Sequence, residues 1–185
     1  MSTTPHHKGA LDGSTIVSVE NDPTGEKYVK KMVIKPTALD VTWGNDPRYW
    51  SIDKIGGAIS LHQVSWLEVS GAFDNSALDK VNAKLDYSNN YSLKFRVRMK
   101  ADAFGWSGCP VYLLVKHAVD NKFKWKKVDL SRLTAGMVVD IPESPDKHIF
   151  RPPADKLIFG LFEIWRGRWK GGLEILQVII ERDQQ

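Results

Sequence analysis

Cysteine is almost absent from this chain: the sequence has one, Cys109. A lone thiol excludes an intrachain disulfide and any zinc site built from several cysteines. Between Gly108 and Pro110 it is either a buried, inert thiol or an exposed one that crosslinks chains on oxidation. Long apolar runs are missing as well, so no segment spans a bilayer and no membrane insertion is expected. The opening residues lack the apolar stretch of a secretory signal peptide, which predicts a chain that starts out in the cytosol. Charge of one sign is nearly balanced, with 26 basic against 22 acidic residues and a formal net charge of +4. That excess permits weak attraction to anionic partners and demands none. Catalytic signatures are also missing. There is no phosphate loop, dinucleotide fingerprint or zinc-protease helix. Gly105-Trp106-Ser107-Gly108-Cys109 departs from a nucleophile elbow at its fifth residue. The five histidines (His6, His7, His62, His117, His148) show no ligand spacing, so neither metal nor cofactor is expected. A glycosidase would need two carboxylates facing across a cleft. Glu68, Glu163 and Glu174 are the strand acids available, and spacing does not pair them. An enzyme is not expected.

What is present is a globular composition, 42% hydrophobic and 26% charged over 185 residues, enough for one domain with a core. Residues 1–30 are small, polar and without periodicity, and read as a flexible N-terminal tail. His6-His7 is read there as tail composition. From residue 31 to 185 the chain reads as a single domain. Tyr91 to Lys100 alternates apolar and polar residues, the period of a half-buried strand. Val111 to Val115 is a continuous apolar run, consistent with a strand covered on both faces. Ser65–Val69, Lys122–Lys126, Leu157–Trp165 and Leu173–Ile180 complete the clear strands. Helical signals are weak: a short helix over Ser76–Val81, capped by Asn75 or Ser76, and a turn at Asp129–Leu133. The pattern predicts an all-β fold, an antiparallel, jelly-roll-like β-sandwich of two sheets of about four strands with a few short helices.

Two features point toward binding. The first is a basic face: Lys94, Arg96, Arg98 and Lys100, with Lys122, Lys124, Lys126 and Lys127. These form one positive surface for RNA if their strands share a sheet, or else solvated strand faces. The second is Val41-Thr42-Trp43-Gly44-Asn45-Asp46-Pro47-Arg48-Tyr49-Trp50, in which two tryptophans bracket strong turn chemistry. A turn brings the indoles close. They are either ordinary core or two flat faces beside hydrogen-bonding groups, which suits a pyranose ring. Trp66, Trp106, Trp125 and Trp165 are taken as core.

Val41-Thr42-Trp43 with Tyr49-Trp50, then Val64 to Gly71, and Trp169-Lys170-Gly171-Gly172-Leu173-Glu174 recur in that order in one family. Gly71-Ala72-Phe73 and Tyr91 to Lys100 follow the same layout, from about Thr37 to Glu181. On these blocks the chain resembles the phloem protein two lectins and the Nictaba-like lectins of plants, and most nearly a cucurbit phloem lectin. The resemblance implies a β-sandwich that binds chitooligosaccharides (N-acetylglucosamine oligomers) and the N-glycan cores of glycoproteins without cleaving them. It also implies a homodimer in the cytoplasm of phloem sieve elements and companion cells, acting in plant defence. Trp43 and Trp50 match the family's sugar-binding tryptophans, and Trp169 matches the tryptophan of the last block. Arg48, Tyr49 and Lys170 are expected to hydrogen-bond hydroxyls and the acetamide. An RNA-binding phloem carrier and a structural phloem filament component are the alternatives.

Overall fold

The computed structural model describes residues 4–184. The strands in chain order are β1 (Ile16–Asn21), β2 (Val29–Ile34), β3 (Asp40–Val41), β4 (Trp50–Ile52), β5 (Ile59–Leu61), β6 (Leu67–Phe73), β7 (Tyr91–Phe104), β8 (Val111–Lys116), β9 (Phe123–Val128), β10 (Val138–Ile141), β11 (Ile149–Phe150), β12 (Leu157–Glu163) and β13 (Gly171–Arg182). One helix, α1 (Asn75–Asp79), follows β6, and short 3-10 turns cover Pro36–Ala38 and Leu130–Arg132.

These strands form two antiparallel sheets packed as a sandwich. In the larger, β13 is the spine: β2 and β5 pair along one edge and β7 along the other. Beyond them lie β1, β4, β10 and β11, giving eight strands. The smaller sheet runs β3-β6-β12-β8-β9. The all-β sandwich expected from alternation is present, with eight and five strands in place of about four each. The extra strands are two to six residues long, too short to show a period in sequence.

Alternation translates directly into packing. On β7, Tyr91, Leu93, Phe95, Val97 and Met99 point into the core. Outward, Lys94, Arg96 and Arg98 pair with Glu181, Asp140 and Glu174 on the flanking strands. On β8, Val111, Leu113 and Val115 face the core. The outward residues of β8 are covered by rings rather than by a third layer. Tyr112, Trp125 and Trp165 meet edge to face, with Trp125 and Trp165 centroids 5.5 Å apart. That aromatic lid explains why the β8 sequence is continuously apolar.

Several expectations are corrected here. Trp66, Trp125 and Trp165 are exposed, and of the four supposed core tryptophans only Trp106 is buried. The helix cap is Asp74, whose carboxylate accepts from Ser76 N and Ala77 N. The basic residues of β7 and β9 lie in different sheets, so they do not make one positive face. Part of the presumed tail is built into the fold: β1 pairs with β2, and His7 bridges Val41. Cys109 is buried, and burial, followed by the Glu163 carboxylate, pushes its thiol up from the ordinary range. It is the inert alternative that the fold adopts.

His148, between β10 and β11, is 4% exposed. Burial first, then the nearby Lys124 and Lys126 charges, bring its pKa down to about 4. An unfolded histidine titrates near 6.5, so between these values the unfolded chain binds the extra proton. Stability is therefore expected to fall by about 3 kcal/mol as pH drops from about 6.5 to about 4, and to be fully present above that window. Denaturant titrations at pH 7 and pH 4.5 measure it. A His148→Phe protein should show a flatter slope across the same range, and an unchanged slope would refute the assignment.

Candidate functional site

The Trp43 turn is built from short backbone bonds. Gly44 N donates to Val41 O, Asp46 N to Trp43 O, and Trp50 N to Asp46 O. Gly44 is obligatory because a Cβ there would meet the side chains of His7 and Val41. Trp43 itself sits at φ 64, a left-handed backbone that a bulky residue rarely adopts. Such strain persists where surrounding contacts over-determine it. Here His6 Nδ1 accepts from Trp43 N at 3.0 Å, and Asn45 Nδ2 donates to His6 O at 2.8 Å.

The turn faces the loop that carries Trp169. Lys170 and Val64 form a two-bond antiparallel bridge, each N donating to the other's O at 2.9 Å. This bridge sets Trp66 and Trp169 beside the turn. Gly171 allows it: a Cβ there would collide with the His62 carbonyl. The result is an open cleft of about 190 Å³ lined by Trp43, Tyr49, Val64, Ser65, Trp66 and Trp169. Trp43, Trp66 and Trp169 are 40%, 45% and 52% exposed, so their faces are available to a ligand. The Trp43 and Tyr49 centroids are 6.1 Å apart at 61°, and Tyr49 and Trp169 are 6.4 Å apart at 28°. Trp66 Nε1 donates to Glu68 Oε2 at 2.7 Å, which fixes that indole's orientation.

The expected residues separate into three groups. Trp43, Tyr49 and Trp169 line the cleft. Arg48 lies beside it, held to Asp46 at 2.7 Å and with its guanidinium 5.2 Å from the Tyr49 ring centre. The Arg48 side chain and backbone N–H hold Asp46 below the usual carboxylate range. Trp50 and Lys170 are corrected from ligand contacts to buried supports. Trp50 is 2% exposed, and its Nε1 donates to Thr42 O at 3.1 Å beneath the turn. Lys170 is fully buried, with Nζ 2.7 Å from Glu163 Oε2 and 3.1 Å from Ser65 O. The Cys109 thiol donates to the same carboxylate oxygen of Glu163, and Arg166 N donates to the other. Burial pushes the Glu163 carboxyl up, and bonds from Lys170 and Cys109 bring it below the ordinary glutamate range.

Three residues of the cleft were missed from sequence, Val64, Ser65 and Trp66. A usable signal existed for Trp66. With Leu67 and Val69 pointing inward, the two-residue period places Trp66 with Glu68 on the wet face. Among the described residues, no group of three or more His, Cys, Asp or Glu side chains is arranged to hold a metal ion. No described helix is long and apolar enough to cross a membrane.

The architecture is that of a β-sandwich with an open cleft of indole and phenol rings at its surface. The phloem protein 2 family model matches residues 29–182. Two Arabidopsis thaliana proteins are similar over most of the chain. PHLOEM PROTEIN 2-LIKE A9 is 34% identical over 166 residues, covering 82% of this chain and 87% of its own length. PHLOEM PROTEIN 2-LIKE A1 is 31% identical over 157 residues, covering 79% of this chain and 59% of its own. Among solved structures, the Podospora anserina beta-(1,4)-mannanase superposes with a TM-score of 0.41 at 5% identity, over 98% of this chain and 28% of that one. A likeness that slight carries no weight for function. The chain belongs to the phloem protein 2 family.

Proposed function

We propose that this protein is a non-catalytic lectin of the phloem that binds N-acetylglucosamine oligomers and N-glycan cores. The observation that carries the reading is the cleft of half-exposed indoles, Trp43, Trp66 and Trp169, with the partly buried Tyr49 ring, between the first turn and the β13 entry. Pyranose rings present slightly positive C–H groups on their faces, and indole faces are electron-rich. Each such contact is worth on the order of 0.5–1.5 kcal/mol by analogy with aromatic pairs. Ser65 in the cleft wall and Arg48 at its margin supply hydrogen bonds to hydroxyls and the acetamide. A few such contacts, less the ordering cost, correspond to roughly 10 µM to 1 mM per site. A homodimer would raise apparent affinity on glycan-coated surfaces through effective concentration.

Calorimetric titration with chitotriose tests this. Trp43→Ala and Trp169→Ala are each expected to weaken binding by about tenfold or more, with thermal stability close to the parent's. Parent-like affinity in both variants would remove the site assignment. The same titration at about 50 mM and about 200 mM salt should differ by less than about twofold, whereas phosphate contacts would cost orders of magnitude. A steep salt dependence would favour the RNA carrier. The filament alternative depends on a thiol that is buried in the folded chain.

A further inference from the structure

We propose that residues 6–8 complete a second, polar subsite that takes the next sugar unit of a bound oligosaccharide. The proposal rests on the carbohydrate reading of the aromatic cleft.

A groove of about 290 Å³ is lined by His6, His7, Lys8, Asp40, Val41, Thr42, Glu68 and Ser70. It shares no lining residue with the aromatic cleft, but two side-chain contacts join the two. The His6 ring lies 5.0 Å from Trp43, and Glu68 holds the Trp66 indole. A ligand lying along Trp43 and Trp66 therefore runs directly into it.

The groove exists because the N-terminal segment is tied down at every step. His7 and Val41 exchange both backbone bonds at 3.0 Å. His7 Nε2 bonds Thr37 O at 3.0 Å, Asn45 N donates to Pro5 O at 3.1 Å, and Gly9 N donates to Asp40 Oδ1 at 3.0 Å. This segment lies outside residues 29–182 that match the family. The subsite thus combines Asp40 to Thr42, Glu68 and Ser70 from the matched range with His6 to Lys8 from outside it.

Its chemistry differs from the cleft's. Apolar ring faces give way to hydroxyls of Thr42 and Ser70, the Glu68 carboxylate and the His6 imidazole. Because His6 Nδ1 accepts from Trp43 N, the neutral ring carries its proton on Nε2 and is a donor there. Donors and acceptors at this density suit the hydroxyl rim of a pyranose rather than its face. Lys8 is already paired with Asp40 at 3.0 Å, and Glu68 adds a negative charge, so the groove has no surplus positive charge. It should take a neutral sugar and reject a uronate.

The test compares N-acetylglucosamine oligomers of two, three and four units on the full chain. Two variants are measured beside the parent. Thr42→Val removes a groove hydroxyl while keeping the backbone carbonyl that accepts from Trp50, and Ser70→Leu fills the groove from β6 without touching the ring wall. The parent is expected to gain about fivefold or more in affinity at one step of chain lengthening. Both variants should lose that step while the shortest bound oligomer changes by less than about twofold. A trigalacturonate should bind the parent more weakly than chitotriose. If the step persists in both variants, or if every length weakens equally, the subsite is overturned while the aromatic site stands. If the parent binds none of the oligomers, the carbohydrate reading fails and the subsite with it.

Discussion

Replacing Lys170 alone is expected to cost about 3–5 kcal/mol of stability, because a buried ion pair that loses one partner leaves an uncompensated charge. The two groups are 0% and 1% exposed, with Nζ and Oε2 2.7 Å apart. In a Lys170→Met protein the Glu163 carboxylate keeps the Cys109 thiol and the Arg166 N–H as donors, but no cation. Glu163→Leu is the mirror case, leaving an ammonium with the Ser65 carbonyl. The double substitution, Lys170→Met with Glu163→Leu, should regain most of the loss, since an apolar pair of similar volume avoids desolvating two charges. Denaturant midpoints for the four proteins form the cycle that checks this. Additive losses in the double variant would show that the pair is not the source of the effect. The acid behaviour has a definite sign too. Glu163 is held below its ordinary value. Its contribution is present above the unfolded glutamate pKa and is lost as pH falls through the folded one. The double variant should therefore lose less stability than the parent on acidification below about pH 4.5.

Trp50→Ala is expected to unfold the protein almost as severely, by about 3–5 kcal/mol. Its indole is 2% exposed and packs in the common core. Truncation removes both that burial and the bond from Nε1 to Thr42 O. The other tryptophan of the same segment, Trp43, is 40% exposed and should tolerate alanine with little loss of stability. Trp50→Phe keeps most of the volume and should cost clearly less, with about 1 kcal/mol of it from the missing hydrogen bond. Thermal melts of the three proteins separate the roles. A stable Trp50→Ala protein that no longer binds chitotriose would reverse the assignment and make Trp50 a ligand contact.

The fold was legible where one face of a strand is wet, because alternation then records burial residue by residue. β7 and β6 follow that rule along most of their lengths. Short edge strands such as β3 and β4 were not, since two or three residues carry no period. The candidate site was legible at the level of its segments. Trp43 and Trp169, from the first and last of the matched blocks, line the cleft, while Trp50 and Lys170 lie beneath it. Each buried support directly follows a ring that lines the cleft: Lys170 follows Trp169, and Trp50 follows Tyr49.

By itself the sequence determined the all-β class, the family and the turn at Gly44 to Pro47, because period, motif order and turn chemistry are local properties. Only the tertiary structure decided which indoles stay open to solvent, that Lys170 pairs with Glu163, and that His6 reaches Trp43. Those depend on which distant strands cover a given face. Val64 meets Lys170, and His7 meets Val41, across chain separations at which no local pattern carries information.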